Sequence, residues 1–207
     1  MTSRNAMHKL SIFNAWLDAQ PAQHRVVVAG NHDQILESVG AEAAQRLLPN
    51  AIYLCNSGVE LEGLRLWGTP ISDGRSPNRA FQSAAARAAA AAAAASLPPG
   101  SVDLLITHGF EADLARAVAP RSAHVYGHLH CSHGVRPGGR GSERWLEVCG
   151  PVMSARLLPY QHPIVLDVPR PVRDAPSSLP GHGAAARRGS RVAMAGAAAA
   201  PAQIIYM

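Results

Sequence analysis

Cysteine is scarce in this 207-residue sequence, and its spacing forms no motif. The three cysteines are Cys55, Cys131 and Cys149, and no two of them make a Cys-x-x-Cys pair. Neither a disulfide framework nor a cysteine zinc knuckle is therefore predicted. A reducing compartment is the environment that this cysteine content favours.

Long apolar runs are missing as well. No stretch approaches the roughly 20 apolar residues that span a bilayer, and the N-terminus lacks the apolar core of a secretory signal peptide. The hydrophobic content of 47% is that of a globular chain with one real core. We therefore expect a soluble, cytoplasmic protein with no membrane partner.

Lysine is almost absent, and the positive charge is unevenly placed. Lys9 is the only lysine among the 19 basic residues. Residues 136 to 191 hold nine arginines and four acidic residues, a surplus of five that equals the whole net charge of +5. The rest of the chain is balanced, so no basic groove across the domain is predicted.

Two segments of biased composition divide the chain. Residues 171–207 are rich in Pro, Gly, Ala and Arg, which predicts a disordered tail after a domain formed by residues 1–170. Nucleic-acid binding is expected only through this arginine-rich tail. Residues 83–96 are almost pure alanine, with Arg87 as the only charge, and predict a helix that we interpret as an inserted filler without chemistry.

The stretch from Arg25 to Asp33 reads RVVVAGNHD. Its run of three valines predicts a buried strand, which Gly30 ends. Asn31, His32 and Asp33 then fall in the loop at the carboxyl end of the strand, where open α/β sheets place their chemistry.

Two later stretches repeat this design. Residues 104–109 read LLITHG and deliver His108, and residues 125–130 read VYGHLH and deliver His128 and His130. Gly127 is expected to permit the tight turn that presents His128 and His130. We expect these three strands in central sheet positions with their carboxyl ends together, so that Asn31 and the three histidines converge on one pocket. His124 and His133 flank the motif and are interpreted as surface residues.

The remaining pattern is that of an α/β fold. Pro21 ends a helix over residues 5–19. Further predictions are a helix over 35–48, an edge hairpin of strands 51–54 and 59–67 that turns at Asn56 to Gly58, a helix over 111–118, and closing strands over 145–148 and 164–168.

Together GNHD, the strand-end His108 and GHLH resemble the motifs of the calcineurin-like metallophosphoesterases, in particular the MPPED-like branch. The pattern YLxxSxVxxxGxRxxGxP of that branch is matched from Tyr53 to Pro70, and PIVxDxP is matched from Pro163 to Pro169. The resemblance implies a layered β-sandwich flanked by helices. It also implies two preceding strands, with Asp-x-His and Gly-Asp motifs, that the printed sequence lacks.

The resemblance assigns roles to the motif residues. It implies that Asn31, His108 and His128 bind one metal, that His130 belongs to a second, and that His32, oriented by Asp33, contacts the phosphate and protonates the leaving oxygen. Imidazole and amide ligands suit Mn, Fe, Zn or Co. Two such metals about 3.5 to 4 Å apart activate water and neutralise phosphoryl oxygens. The predicted function is metal-dependent hydrolysis of a phosphodiester or phosphomonoester, with a phosphate ester or nucleotide as substrate.

Two other functions stay open. One is a non-catalytic relic that binds a single metal or a nucleotide, because only His130 of the expected first-metal ligands is present in the sequence. Metal content per chain distinguishes this relic from the enzyme. The other is an interaction module that uses the arginine-rich tail, which predicts salt-sensitive nucleic-acid binding.

Overall fold

The computed structural model describes residues 3–72, 76–140, 143–154, 156, 158, 161–170 and 202–206. The helices are α1 (Ser3–Asp18), α2 (Gln34–Val39), α3 (Ala41–Leu47), α4 (Ala84–Ala95) and α5 (Ala112–Val118). The strands are β1 (Val26–Val28), β2 (Ile52–Leu54), β3 (Ser57–Leu61), β4 (Leu64–Thr69), β5 (Leu104–Thr107), β6 (Ala123–Tyr126), β7 (Gly134–Arg140), β8 (Glu143–Cys149), β9 (Ile164–Val168) and β10 (Ala202–Tyr206). Within these described ranges, no helix has the length and apolar character needed to cross a membrane.

A six-stranded mixed sheet forms the centre of the fold, in the order β3-β4-β5-β6-β8-β7. Strands β4, β5, β6 and β8 run parallel to one another, and each edge strand joins by an antiparallel hairpin. Two smaller sheets accompany it, a parallel pair of β1 and β2 and an antiparallel pair of β9 and β10.

Three apolar clusters stack these elements into layers. On one face of the main sheet, Leu104 of β5 packs in a cluster that includes Leu166 of β9 and side chains of β1 and β2. On the opposite face, Leu105 packs in a cluster formed with α4 and α5. A third cluster joins Leu17 of α1 to Tyr53 of β2, beneath α1 to α3. The predicted layered β-sandwich flanked by helices is confirmed.

Strand β1 lies elsewhere than predicted. Strands β5 and β6 occupy central positions in the main sheet, but β1 pairs with β2 in a separate two-stranded sheet. All three of its valines are partly exposed. The expectation of a central, fully buried strand was wrong because an apolar run indicates contact with a core but does not specify which sheet receives the strand.

One predicted helix and one predicted hairpin are also corrected. The helix over 35–48 is divided into α2 and α3 by Gly40, whose φ of 79° ends the first helix. Strand β2 pairs with β1 and not with the following strand, so the predicted turn at Asn56 to Gly58 joins no hairpin. The hairpin is β3-β4, and Glu62 and Gly63 both have positive φ at its turn, the geometry that matches strand twist.

Two strands arise in segments whose composition predicts none. Strand β7 contains Pro137 and three glycines, and the proline is tolerated there because β7 is an edge strand of the main sheet. Residues 202–206 belong to the predicted disordered tail but form β10, which pairs with β9 from Ala202 to Tyr206. Residues 171–201 lie outside the described residues.

Candidate functional site

Three strand ends supply the predicted site residues. Asn31 follows β1, His108 follows β5, and the turn with His128 and His130 follows β6. Strands β5 and β6 are parallel neighbours, and the amide of Gly127 donates a hydrogen bond of 2.9 Å to the carbonyl of His108. This hydrogen bond therefore joins the segment that follows β5 to the segment that follows β6.

Asn31 and His108 are in direct contact. His108 Nε2 lies 2.6 Å from Asn31 Oδ1, and Asn31 is only 2% exposed. The other end of the Asn31 amide donates to Ser76 Oγ at 2.7 Å, which fixes the side-chain orientation. Because an amide oxygen only accepts, the proton of this contact belongs to His108 Nε2.

The three histidines and His32 cluster closely enough to influence one another. The rings of His108 and His128 meet edge to face with centroids 4.8 Å apart. Burial lowers the pKa of His108 to about 4, with further lowering by the charges of His128, His32 and His130. His108 is therefore neutral at neutral pH, which is the form of imidazole that binds a metal.

Gly30 is required beside this cluster. A Cβ built at Gly30 would lie 2.4 Å from Cε1 and 2.8 Å from Nε2 of His108. No side chain fits in that space, so the His108 ring packs flat against the GNHD backbone. The glycine of the motif serves close approach as well as ending the strand.

His128 has a strained backbone conformation within its turn. His128 has a φ of 60°, a left-handed value that side chains other than glycine rarely adopt. The expectation that Gly127 supplies the turn geometry was wrong, since positive φ falls one residue later. Such outliers persist where the surrounding structure holds them, and they concentrate at functional sites.

His32 and Asp33 have separate partners. The Asp33 carboxylate accepts a 2.7 Å hydrogen bond from the amide of Gly30. Burial raises the pKa of Asp33, against the opposing effects of that hydrogen bond and of His32. His32 is exposed, and its Nε2 lies 3.2 Å from Asn78 Nδ2. In the part of the chain that the structure describes, the His32 ring thus bonds to Asn78, whereas Asp33 holds the backbone of the loop.

Comparison with known proteins agrees with this arrangement of motifs. Metallophosphoesterase domain-containing protein 1 of Homo sapiens is 29% identical in an alignment that covers 77% of this chain and 59% of the human protein. The protein of the same name from Mus musculus gives the same values. A UPF0046 protein of Caenorhabditis elegans is 27% identical in an alignment that covers 77% of this chain and 66% of the nematode protein. The chain is a relative of the calcineurin-like metallophosphoesterases.

This metallophosphoesterase relative spans about three fifths of the length of the human and mouse proteins that it matches. No family model matches the chain. The pairwise similarity makes the chain a relative of these proteins. The activity of the whole protein is a separate question that we take up below.

Ser76 and Asn78 are site residues that the sequence did not reveal. Ser76 Oγ accepts from Asn31 Nδ2 and from the Asn78 amide, and Asn78 in turn contacts His32. The polar residues of the loop that carries them form no motif in the sequence. The signal that would have found them is the set of unsatisfied amide and imidazole atoms of the GNHD loop.

His124 is not a surface residue, contrary to the prediction. It is fully buried between Phe110 and Tyr126, on the sheet face toward α4 and α5. Its Nε2 lies 2.7 Å from Thr107 Oγ1, and burial lowers its pKa to about 3. His133 is exposed as predicted, with its ring against the His162 carbonyl.

The donor set suits a divalent metal in chemical type. Asn31 offers an amide oxygen, His108 is a neutral imidazole, and His130 Nδ1 is buried without a hydrogen-bond partner among the described residues. These are the ligand types that Mn, Fe, Zn and Co accept. Among those same residues, however, no three His, Cys, Asp or Glu side chains are grouped so as to hold a metal. Asn31 is therefore needed to complete any ligand set.

The hydrogen bond from His108 to Asn31 brings two ligand atoms of the right types together. A metal bound by both Asn31 Oδ1 and His108 Nε2 would take the place of this hydrogen bond. The ring would then be the neutral tautomer that carries its proton on Nδ1.

Proposed function

We propose that this metallophosphoesterase relative is a metal-dependent phosphoesterase that hydrolyses a phosphodiester or a phosphomonoester, with nucleotides among its candidate substrates. The observation that supports the proposal is the meeting of Asn31, His108 and His128 at three strand ends, with His32 beside them. An amide oxygen and imidazole rings that meet at half-buried positions have no evident use in packing the core.

The metal-binding side chains are Asn31, His108 and His128, and His130 is the ligand toward a second ion. A divalent metal, when bound, supplies the positive charge that stabilises the phosphoryl oxygens in the transition state. Ser76 holds the Asn31 amide with its oxygen toward the metal side of the pocket.

His32 is the general acid of the proposal. It is exposed at the rim of the pocket, where a substrate oxygen can reach its ring. Nε2 of the neutral ring accepts a hydrogen bond from Asn78 Nδ2, which restricts ring rotation before the ring takes up a proton. When protonated, the ring donates its proton to the leaving oxygen. Asp33 acts on the loop that carries His32, since its carboxylate holds the Gly30 amide.

One other function has an observation in its favour. A non-catalytic protein that binds one metal or a nucleotide is consistent with the finding that, among the described residues, no trio of His, Cys, Asp or Glu side chains is grouped to hold a metal. The proposal of an interaction module rests on arginines in residues 171–201, outside the described ranges.

Metal binding and hydrolysis can be measured on the same preparations. The purified chain is stripped with chelator, titrated with Mn²⁺ by calorimetry, and assayed on bis-p-nitrophenyl phosphate. We expect His128→Ala to weaken Mn²⁺ binding, because a direct ligand is lost. His133→Ala is the matched control, since it removes an exposed histidine whose ring bonds to the His162 carbonyl and to no proposed ligand among the described residues.

The general acid gives a second, separable result. His32→Ala should leave Mn²⁺ bound while lowering turnover by about 10² to 10⁴. Mn²⁺ binding without hydrolysis in the unmodified chain would favour the non-catalytic function. Hydrolysis that survives His128→Ala unchanged would contradict the proposed site.

A further inference from the structure

The segments that follow β4 and β5 touch each other next to the proposed metal ligands. The amide of Gly109 donates to the Ile71 carbonyl at 3.1 Å. A Cβ built at Gly109 would lie 2.7 Å from Ser72 Cβ and 3.6 Å from His128 Cδ2. The residue after His108 therefore lies between Ser72 on one side and His128 on the other.

Arg87 reaches into this contact from the alanine-rich helix α4. Its Nη1 donates to the carbonyl oxygen of Ser72. Its Nη1 and Nη2 also donate to the two carboxylate oxygens of Glu111, each at 3.0 Å. A paired, two-bond contact of this kind fixes both distance and orientation.

Glu111 is the other anchor of the contact. It stands three residues after His108, immediately before α5, and its carbonyl accepts the first hydrogen bond of that helix from Ala115. Its side chain is only 8% exposed, against 42% for Arg87. The guanidinium of Arg87 thus joins the segment after β4 to the segment after β5, across a buried carboxylate.

A second contact strengthens the first. Gln82, just before α4, donates from Nε2 to Ser72 Oγ at 2.7 Å. The carbonyl and the hydroxyl of Ser72 are therefore both held by side chains from the α4 side. Without Arg87, the Ser72 carbonyl and the buried Glu111 carboxylate would each lose a donor, a state that a folded chain relieves by moving the segments that carry them.

We propose that Arg87 is a positioning residue that fixes His108 in the metal pocket by clamping Ser72 to Glu111. The expected consequence of this clamp is tighter metal binding, and that consequence rests on the proposed function. It gives the alanine-rich helix a role other than filling space: the methyl groups pack on the main sheet, and the single charged side chain holds the edge of the site.

The test uses three variants and one control in the full chain. Arg87→Met removes the charge and all donors but keeps much of the apolar stem. Arg87→Lys retains the charge but cannot make the paired contact. Glu111→Gln removes the buried charge. Arg46→Met is the matched control, because Arg46 is also a helical arginine in an ion pair, with exposed Glu42.

Amide hydrogen exchange of the metal-free proteins measures positioning directly. Arg87→Met should speed exchange in peptides that cover 69–72 and 108–112, while those from the β1-β2 sheet stay as in the unmodified chain. Arg87→Lys should give an intermediate effect, and Arg46→Met none. Unchanged exchange at both segments, or a uniform increase over the whole chain, would overturn the inference.

Cobalt titration then tests the consequence for the site. Arg87→Met should weaken Co²⁺ binding about tenfold, the lower end of the effect of outer contacts on metal ligands, and should alter the Co²⁺ absorption spectrum. Unchanged affinity and spectrum in Arg87→Met, with Co²⁺ bound to the unmodified chain, would overturn it. If the unmodified chain binds no Co²⁺ while the exchange effect is present, the proposed function fails and the clamp between the two segments stands.

Discussion

Mild acid should destabilise this protein through the buried side chain of His124. The side chain is fully buried, its Nε2 lies 2.7 Å from Thr107 Oγ1, and its Nδ1 has no partner among the described residues. Thr107 Oγ1 itself donates to the Gly109 carbonyl, so the shared proton of the first contact sits on His124 Nε2. A second proton would have to bind at Nδ1, and the resulting N–H group would have no acceptor among the described residues.

The sign of the pH effect follows from the two states. An unfolded chain has a histidine pKa of about 6.5, whereas burial lowers the pKa of His124 to about 3. Between these values the unfolded state binds a proton that the native state does not. The free energy of unfolding therefore stays complete above pH 6.5 and falls as the pH drops below it.

The size of the loss is large enough to measure. Each pH unit well below 6.5 removes about 1.4 kcal/mol per histidine, so His124 accounts for about 2 kcal/mol between pH 6.5 and 4.5. His108, whose pKa is lowered to about 4, by burial first, contributes about 2 kcal/mol over the same interval. The combined loss of about 4 kcal/mol compares with the 5 to 15 kcal/mol by which small domains are stable.

Urea unfolding of metal-free protein at a series of pH values provides the assay. His124→Gln retains a donor for Thr107 but cannot titrate, so it should remove about half of the acid-induced loss. His133→Gln should leave the pH dependence unchanged, since that histidine is exposed. If His124→Gln and the unmodified chain lose stability equally between pH 6.5 and 4.5, the burial of His124 as a neutral group is refuted.

Three further predictions concern the pocket. Gly30→Ala should weaken Mn²⁺ binding in calorimetry and lower the free energy of unfolding by about 1 to 3 kcal/mol, because the new methyl group would overlap His108; unchanged values would contradict the close approach. Ser76→Ala should weaken Mn²⁺ binding about tenfold, since the Asn31 amide becomes free to rotate; an unaltered Kd would mean that other contacts hold that amide. Asn78→Leu should lower turnover of the diester without changing Mn²⁺ affinity, and equal turnover would show that the general acid needs no such contact.

The meeting of the motif residues was predictable because it depends on rules that hold for parallel strands. Strands β5 and β6 are parallel neighbours, so His108 and His128 had to emerge at the same edge. The small sheet of β1 was not predictable in the same way. Its pairing partner is β2, and the apolar run of β1 is equally compatible with either sheet.

The environment of His124 shows where pattern reasoning stops. Along β6, Ala123 and Val125 pack toward the small sheets, and His124 and Tyr126 point the other way. Alternation of this kind usually indicates one solvent-exposed face. Here α4 and α5 cover that face too, and only the tertiary structure shows that the polar residues are buried.

The contacts of Ser76 and Arg87 depend on distance in space and leave no local signal. Ser76 lies 45 residues from Asn31, and Arg87 lies 24 residues from Glu111. A lone arginine among alanines is in general a solubilising residue, so its buried partner could not be inferred from composition. Polar contacts between segments far apart in the chain are known only once the fold is known.

The turn from Gly30 to Asp33 closes on itself by two hydrogen bonds, from the Asp33 amide to the Gly30 carbonyl at 3.0 Å and from the Gly30 amide to the Asp33 carboxylate at 2.7 Å. Within that closed ring, consecutive residues leave space for His108, offer an amide to the metal pocket and present an exposed imidazole. The length of this loop is thus constrained as strictly as its composition. An inserted or deleted residue would break the ring and rotate all of these groups out of place together. A library that varies the loop length at this position should therefore contain few functional members. The hairpin turn at Glu62 and Gly63, remote from the pocket, should tolerate such changes.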